Sequence, residues 1–425
     1  MAKDKIIDEL ITFINDSPTS WHAVEHVKTK LIEAGFQELK EEESWSIAFG
    51  GKYFVIRNGS SIVAFQTPTD EPTHLKIVAS HTDSPSFKLK SNPEYLVENM
   101  LMLGVEVYGS PLLTSWLNRD LKIAGRVFYL DKHNKKQSSL VALDDFPVVI
   151  PQLAIHLDRK ANENGPLLKH QEHLAAVAAL DVKTPYLEKI LKAELNAKTL
   201  LSFDLFLVPT EKASLIGYEK QMIASYRIDS LLSVHACLKA LLNVKKPSLK
   251  KLKAFVFFDH EEVGSTSTQG ANSPFLSQTL ERIFLSLHFG KEDYFKMIAN
   301  SLLISVDLAH AMHPNYKEKH EPHHQPLLNK GIVIKQNANL RYASNGYSTA
   351  HIVELCQKNK IPYQFFVSRN DMPCGSTIGP LNASQTGIET IDIGVAQLSM
   401  HSCRELAATQ DQLDMCQLLT KFLNT

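Results

Sequence analysis

The sequence predicts an α/β protein whose mixed, mostly parallel sheet has helices on both faces, with a β-rich domain inserted into it. In the second half of the chain, strand-like runs alternate with helical patterns; the strand-like KLKAFVFF (251–258), for example, follows the helical RIDSLLSVHACLKALLNV (227–244). Such alternation is typical of a parallel sheet covered on both sides. Between about 90 and 215, short β-rich pieces separated by turns predominate. We therefore expect one domain from 1–89 and 216–425, and an inserted β-rich domain from 90–215.

The first eighty residues contain clear local signals. TSWHAVEHVKTKLIEAG (19–35) has a capping residue at its start, a periodic body and a terminal glycine, as a helix does. KYFVIRNGSSIVAFQT (52–67) places Asn-Gly between two β-rich runs, which predicts a hairpin. HLKIVASH (74–81) is a short apolar strand that ends in polar residues. These segments are expected to belong to the main domain.

Composition excludes several classes of protein. The 425 residues include 45 Lys+Arg and 46 Asp+Glu, so the basic excess of a nucleic-acid-binding protein is missing. We see neither a secretory signal at the N-terminus nor an apolar run of about 20 residues that could span a membrane. The five cysteines are scattered and lack CxxC spacing. Reduced thiols in a cytoplasmic protein are therefore expected.

Polar, ionisable residues follow the apolar strands at the points where the strands end. Active sites of parallel sheets form at the carboxyl ends of the strands, so these side chains are expected to meet. A carboxylate at a helix start is usually a cap, and an isolated histidine is usually structural, but a set at one rim favours a common site. The set is His81, Asp83, Asp229, Asp259, His260, Glu261, Glu262, Asp307 and His401.

A pair of divalent metal ions would hold such a set together. Imidazole and carboxylate ligands suit zinc, and paired metals lie about 3.5–4 Å apart. The spacing of His81 and Asp83 puts both side chains on one side of an extended segment, so Asp83 can orient the imidazole. Adjacent carboxylates repel each other. One member of the Glu261–Glu262 pair would bind metal while the other takes a proton from the attacking water.

Seven segments of the chain resemble, in order, the motifs of the M18 metalloaminopeptidases, and in particular the aspartyl aminopeptidases and their bacterial relatives. The resemblance covers nearly the whole chain and includes the β-rich insert. The chain departs from the family pattern at Ser230, where the family has Asn, and in the loop over 109–120. The seven segments are SPTSWHAV, ASHTDSP, DHEEVGS, SVDLAHAMHPNY, RYASN, RNDMPCGSTIGP and QLSMHSCRE.

The resemblance implies two Zn²⁺ per subunit, with Co²⁺ or Mn²⁺ as alternatives. It implies that His81 and Asp307 bind one metal, that Glu262 and His401 bind the other, and that Asp229 bridges them. Glu261 would be the general base and Asp83 would orient His81. It also implies that the insert is a dimerisation domain and that homodimers assemble into a homododecamer.

The resemblance also suggests residues that contact the substrate. His310 would stabilise the oxyanion, and Tyr342 would assist it or bind the substrate main chain. Lys335 would lie near the substrate side chain and favour an acidic residue; without the resemblance, a solvated charge at a strand end is the preferred interpretation. His156 would reach the active site of a partner subunit, whereas its apolar context alone suggests a core or interface histidine.

We therefore expect a dinuclear zinc aminopeptidase acting on peptides with a free N-terminus, with a preference for Asp or Glu. Three alternatives stay open. The enzyme could prefer neutral, leucine-like residues. It could be a metal-dependent deacylase or carboxypeptidase, for which an N-acetylated peptide would compete as well as a free one. It could also be a non-catalytic assembly subunit, which would bind less than one metal per chain.

Overall fold

A computed structural model describes residues 2–425 and separates into two compact units. The first comprises the chain up to Asp83 together with Ser214–Met400 and Glu405–Thr425, and the second comprises Ser84–Ala213 with His401–Arg404. These limits lie a few residues from the expected boundaries, because the first strand of the second sheet already begins at Ser86. The assignment of the insert to dimerisation stays a prediction.

The strands are numbered in chain order. They are β1 (Gln37–Leu39), β2 (Lys52–Arg57), β3 (Ser61–Gln66), β4 (His74–His81), β5 (Ser86–Val97), β6 (Met100–Tyr108), β7 (Leu121–Leu130), β8 (Lys136–Val148), β9 (Ala176–Leu180), β10 (Thr199–Pro209), β11 (Ser214–Ile216), β12 (Met222–Ser225), β13 (Lys251–Phe258), β14 (Leu302–His310), β15 (Ile332–Gln336), β16 (Tyr363–Val367), β17 (Glu389–Leu398) and β18 (Glu405–Ala408).

The helices follow the same numbering. They are α1 (Ala2–Asn15), α2 (Ser20–Glu33), α3 (Ala161–Asn164), α4 (His170–His173), α5 (Leu187–Leu195), α6 (Ile228–Leu242), α7 (Phe275–Ser286), α8 (Lys291–Ala299), α9 (Gly346–Asn359), α10 (Ile378–Thr386) and α11 (Thr409–Asn424). Single 3₁₀ turns lie at Leu113–Trp116, Glu261–Val263 and Lys317–Lys319.

The first unit contains a mixed sheet of twelve strands in the order β1-β2-β3-β13-β4-β14-β17-β18-β12-β11, with β15 pairing with β16 and β17. Its centre consists of four adjacent parallel strands, β13, β4, β14 and β17. The carboxyl ends of these four strands therefore lie at the same edge. The predicted α/β class with a mixed sheet is confirmed. The four parallel strands at its centre position the residues of the candidate site.

Residues of β4 alternate between two helical layers, as the pleat requires. Leu75, Ile77 and Ala79 belong to a core cluster that includes α7 and α8. Side chains of the intervening residues reach α11 and α6: Lys76 Nζ donates to Phe422 O at 3.0 Å, and Ser80 Oγ lies 3.2 Å from Ser230 Oγ. Helices thus cover both faces of the central strands, as expected.

Three lysines lie where β4 and β13 begin. Lys253 and Lys76 are cross-strand partners, and Lys251 precedes Lys253 by two residues on the same side of the sheet. The ammonium groups of Lys76 and Lys251 donate to the carbonyls of Phe422 and Thr425 at the end of α11. Carbonyl groups at a helix C-terminus favour cations, so this edge of the sheet is basic for a structural reason.

The second unit contains an antiparallel sheet in the order β8-β7-β10-β5-β6-β9. Phe87 of β5 packs edge-on against Trp116, with ring centroids 5.2 Å apart, and both side chains are fully buried. Such aromatic pairs bury a large apolar area. The insert thus has a core of its own.

Most local predictions are confirmed. β2 and β3 pair antiparallel around Asn58 and Gly59, which both have positive φ as a tight hairpin turn requires. The helix predicted from TSWHAVEHVKTKLIEAG is α2, which begins after Thr19 and ends before Gly35, a residue with positive φ. Within residues 2–425, no helix is both long and apolar enough to cross a membrane.

Gly394 allows a test of the close pairing between the parallel strands β14 and β17. It lies opposite Asp307 on β14, and a Cβ there would be 2.4 Å from the Asp307 carbonyl oxygen. We expect Gly394→Ala to destabilise the first unit by about 1–3 kcal/mol, because overpacking against backbone cannot relax easily. Thermal denaturation measures the effect. Gly346→Ala, whose Cβ would meet nothing within 4 Å, is the matched control, and equal melting temperatures for both variants would contradict the assigned register.

Candidate metal centre

The carboxyl ends of three neighbouring parallel strands bring ionisable side chains together. β4 ends at His81, which pairs in register with Phe258, the last residue of β13. The acidic segment that contains Glu261 follows directly. Asp307 lies near the end of β14, on the other side of β4. The parallel arrangement alone therefore explains why residues more than 200 positions apart in the chain meet.

The backbone at the start of α6 is irregular and presents Asp229 to the same place. Asp229 has φ −82° and ψ 109°, which are not helical values, and its N–H donates to Glu405 Oε2 at 3.0 Å. Arg227, two residues earlier, is buried and donates to the carbonyls of Ser17 and Thr82. Sequence reasoning did not find Arg227 or Glu405. Asp229 thus has an extended backbone at the start of α6, and its side chain faces His81.

His81 Nε2 faces two carboxylates at once. It lies 3.2 Å from Asp229 Oδ1 and 3.4 Å from Asp307 Oδ1, and the three potential ligand atoms all lie within 4.8 Å of one another. The side chains of all three residues are nearly inaccessible to solvent. One proton on one nitrogen cannot satisfy two buried carboxylates, whereas a divalent cation between the three groups can.

Asp83 connects the imidazole to the acidic pair. Its Oδ1 lies 3.4 Å from His81 Nδ1, and its carbonyl oxygen lies 3.2 Å from the same nitrogen. The two oxygens of its carboxylate accept the N–H groups of Glu261 and Glu262, each at 3.1 Å. Asp83 therefore fixes both the His81 ring and the backbone of the acidic turn. The second of these roles could not be seen in the sequence.

Glu261 and Glu262 begin a 3₁₀ turn beside His81. Burial raises the pKa of Glu261 to about 8; His81 opposes the rise, while Asp307, Asp83 and Asp229 add to it. Burial and the neighbouring Glu261 carboxylate raise the pKa of Glu262 well above its usual value. Glu261 and Glu262 also form a second group with His81 in which ligand atoms lie within 4.8 Å. The pair is thus poised to hold protons or cations.

Lys335 contacts a predicted metal ligand. Its Nζ donates to Asp307 Oδ2 at 3.1 Å and to the Leu308 carbonyl at 2.8 Å, and its side chain is only 3% exposed. Burial raises the pKa of Asp307, but Lys335 and His81 outweigh it and hold that pKa well below its usual value. Lys335 is therefore not the solvated strand-end charge that the sequence alone favoured. Asp307 Oδ1 accepts the Leu308 N–H at 2.6 Å and also faces His81, at 3.4 Å from Nε2.

A cavity of about 270 Å³ adjoins the end of β14. His310, at the end of that strand, is exposed to it, and Tyr342 lines it with a buried ring. Burial raises the pKa of Tyr342 far above its usual value, and the neighbouring Cys374 adds to this rise. The phenol is therefore a hydrogen-bond donor at any physiological pH.

Two predicted histidines lie in the second unit. His401 follows β17 by three residues, has φ 66°, and its Nδ1 lies 3.0 Å from the Ser110 carbonyl oxygen. His156 is exposed in a loop after β8. It is therefore not a core histidine, and its exposed neighbours Leu153, Ile155 and Leu157 are apolar, so the interface interpretation stays a prediction. Its role towards a partner subunit, and the role of His401 as a metal ligand, stay predictions.

Comparisons with known proteins agree with this geometry. Residues 13–423 match the family described as Aminopeptidase I zinc metalloprotease (M18). A probable M18 family aminopeptidase 2 of Clostridium acetobutylicum is 42% identical, with 98% of each chain covered. The cryo-EM structure of an Ape4–Nbr1 complex contains a chain with a TM-score of 0.94 at 35% identity, covering 100% of this chain and 86% of that one.

A structure of the S. cerevisiae mApe1 dodecamer gives a TM-score of 0.85 at 30% identity, covering 100% of this chain and 96% of that one. The match to the family extends over both units and includes the acidic turn, the end of β4 and the end of β14. The chain therefore belongs to the M18 family of aminopeptidases and is a metalloaminopeptidase.

Proposed function

We propose that this enzyme is a dinuclear zinc aminopeptidase that releases N-terminal residues, preferably Asp and Glu, from peptides with a free N-terminus. The observation that carries the proposal is the convergence of His81, Asp229 and Asp307 beside the Glu261–Glu262 turn. A buried imidazole among so many carboxylates is stable only with added positive charge. The family description as a zinc metalloprotease supports zinc as that charge.

The ligands divide between two positions. His81 and Asp307 would bind one ion, Glu262 and His401 the other, and Asp229 would bridge them. Lys335 donates to Asp307 Oδ2, and Oδ1 is the Asp307 oxygen that faces His81. Bound zinc would lower the pKa of a water molecule and polarise the scissile carbonyl group. Cobalt or manganese could serve the same ligand set.

Glu261 would act as the general base. Its carboxylate is close to His81, so in the metal-loaded enzyme it can take a proton from the attacking water and deliver it to the leaving amine. Asp83 would keep the His81 ring and the acidic turn in place. His310 and Tyr342, at the cavity, would donate hydrogen bonds to the developing oxyanion or to the substrate main chain.

Charges around the cavity support an acidic substrate side chain. Lys319 lines it, as does Arg369, whose guanidinium is paired with Asp371, and Glu321 is the carboxylate of the lining. Lys335 lies behind the Tyr342 ring, with its Nζ 5.2 Å from the ring centroid. This lysine would therefore act on the substrate from beneath the cavity wall rather than as an exposed cation.

We also propose the assembly and compartment that the resemblance implied. The S. cerevisiae relative is described as a dodecamer, and that chain is similar over the full length of this one. The insert would form dimers, and the exposed His156 would contribute to a partner's site. Five free cysteines, four of them buried, support a reducing, cytoplasmic environment.

Replacement of the base tests the catalytic assignment. We expect Glu261→Gln to lower kcat by at least about a hundredfold, since a general base typically contributes 10²–10⁴. Zinc content measured by mass spectrometry should stay at the wild-type value, because the amide leaves the assigned ligands intact. Glu262→Gln is the matched comparison and should lose zinc as well as activity. Substantial residual turnover in Glu261→Gln would overturn the base assignment.

The raised pKa values predict how the metal-free protein responds to pH. Burial raises the pKa of Glu261 to about 8 and that of Glu262 well above its usual value. Burial lowers the pKa of His81, but hydrogen bonds to Asp229, Asp307 and Asp83 outweigh it and raise that pKa overall. The folded state then binds more protons than the unfolded state, so stability falls as pH rises from about 5 to 8.

Calorimetry of the metal-free protein should show a melting temperature that decreases over this interval, and added Zn²⁺ should raise it more at pH 8 than at pH 5. Metal-free Glu261→Gln should show a flatter pH dependence. Glu292→Gln, which removes an exposed carboxylate on α8, should retain the wild-type slope. A melting temperature that rises with pH in the metal-free wild type would contradict the buried acidic cluster.

Substrate preference is measured with Asp, Glu, Leu and Lys chromogenic amides at saturating zinc. We expect higher kcat/KM for the acidic residues, and a loss of about tenfold in the Asp-to-Leu ratio in Lys335→Ala, because the mutation removes a positive charge beneath the cavity wall. Lys330→Ala, which changes an exposed lysine before β15, is the control. An unchanged ratio in Lys335→Ala would refute the role of Lys335 in specificity, and a Leu preference in the wild type would refute the acidic preference.

A further inference from the structure

Asp392 is a fully buried carboxylate that the proposed chemistry does not use. It lies in the middle of β17, in register with Ser305 of β14, and its side chain is 0% exposed. Burial of a carboxylate is costly unless hydrogen bonds and a counter-charge compensate it. Burial raises the pKa of Asp392, while Lys335 and Thr377 oppose that rise. The hydrogen bonds that the Asp392 carboxylate accepts therefore indicate its role.

One oxygen of Asp392 holds the segment that contains Tyr342. Oδ2 accepts the N–H of Ala343 at 2.7 Å. The next residue, Ser344, is tied to the backbone of the same aspartate: its hydroxyl accepts the Asp392 N–H at 2.9 Å and lies 3.3 Å from the Asp392 carbonyl oxygen. The residues that follow Tyr342 are thus fixed to β17 at several points.

The other oxygen holds a second segment. Oδ1 accepts the hydroxyl of Thr377 at 2.7 Å, and Thr377 also caps α10 by accepting the N–H of Gly379. A Cβ at Gly379 would lie 2.1 Å from Asp392 Oδ2. Only glycine fits here, so the carboxylate packs directly against the first turn of α10.

Both segments line the same cavity. Tyr342 precedes Ala343 by one residue, and Met372–Gly375 end two residues before Thr377. The segments also contact each other, because Arg341 Nε donates to the Cys374 carbonyl at 3.2 Å and Ser376 Oγ donates to the Arg341 carbonyl at 3.1 Å. Asp392 is the common anchor beneath two walls of the cavity.

We infer that Asp392, acting through Thr377 and the Ala343 amide, is a positioning residue that sets the shape of the substrate cavity and thereby the affinity for the N-terminal residue. The inference rests on the proposed function, since it takes this cavity as the place where that residue binds. Asp392 touches neither the substrate nor the predicted metal ligands. Its effect is expected in KM and in selectivity rather than in the chemical step.

Thr377 provides the sharpest test, because Thr377→Val removes one hydrogen bond and keeps the shape of the side chain. In the zinc-loaded, full-length enzyme we expect KM for the preferred aminoacyl amide to rise about tenfold, with kcat within about threefold of wild type and zinc content unchanged. The Asp-to-Leu ratio of kcat/KM should also change, because one wall of the cavity moves. Thr377→Ser, which keeps the hydroxyl, should restore most of the affinity.

Thr386→Val is the matched control. It removes a hydroxyl from the end of the same helix, where Thr386 bonds to Asn382 and Ile388 and not to Asp392. Unchanged KM and selectivity in Thr377→Val would overturn the inference, and so would zinc loss with a parallel fall in kcat. Asp392→Asn, which can still accept the Ala343 amide, should show a smaller rise in KM. If the wild type cleaved no aminoacyl amide, the proposed function itself would fail, a result distinct from these.

Discussion

The site depends on one electrostatic constraint: a buried imidazole nitrogen faces two carboxylates, with two further carboxylates in the turn beside it. His81 Nε2 lies within 3.4 Å of both Asp229 and Asp307. Such an arrangement costs several kcal/mol per uncompensated charge, so the fold must supply cations or protons. Lys335 supplies one cation, to Asp307. A metal-loaded state accounts for the remainder, in agreement with the family to which the chain belongs.

The arrangement of the strands alone brings these ionisable groups to one edge of the sheet. Adjacent parallel strands end at one edge, and Asp83 then connects two of the ends by accepting backbone N–H groups of the acidic turn. The same device recurs at Asp392, which accepts from one loop and from the cap of α10. In both cases a short buried carboxylate joins segments that are distant in the sequence, so the site is held by hydrogen bonds as well as by packing.

The strands, the hairpin at Asn58–Gly59 and the convergence at the strand ends could be predicted from the sequence, because periodicity and turn residues are local signals. The contacts of Lys335 and the roles of Arg227, Glu405 and Asp392 could not. Each depends on a hydrogen bond between residues far apart in the sequence, which no local sequence pattern reveals. Asp229 was open to a capping interpretation for the same reason, since the hydrogen bond from its N–H to Glu405 spans 176 residues of the sequence.

The near-zero net charge of the chain conceals a separation of charge along the central strands. Lysines gather where β4 and β13 begin, and carboxylates gather where they end. The sheet therefore has the character of a molecular dipole whose negative pole is the site. In the metal-free protein its field favours the approach of divalent ions, an attraction that ionic strength weakens. The direction of the strands thus biases the metal-free protein towards the capture of cations at the end of the sheet where the carboxylates lie.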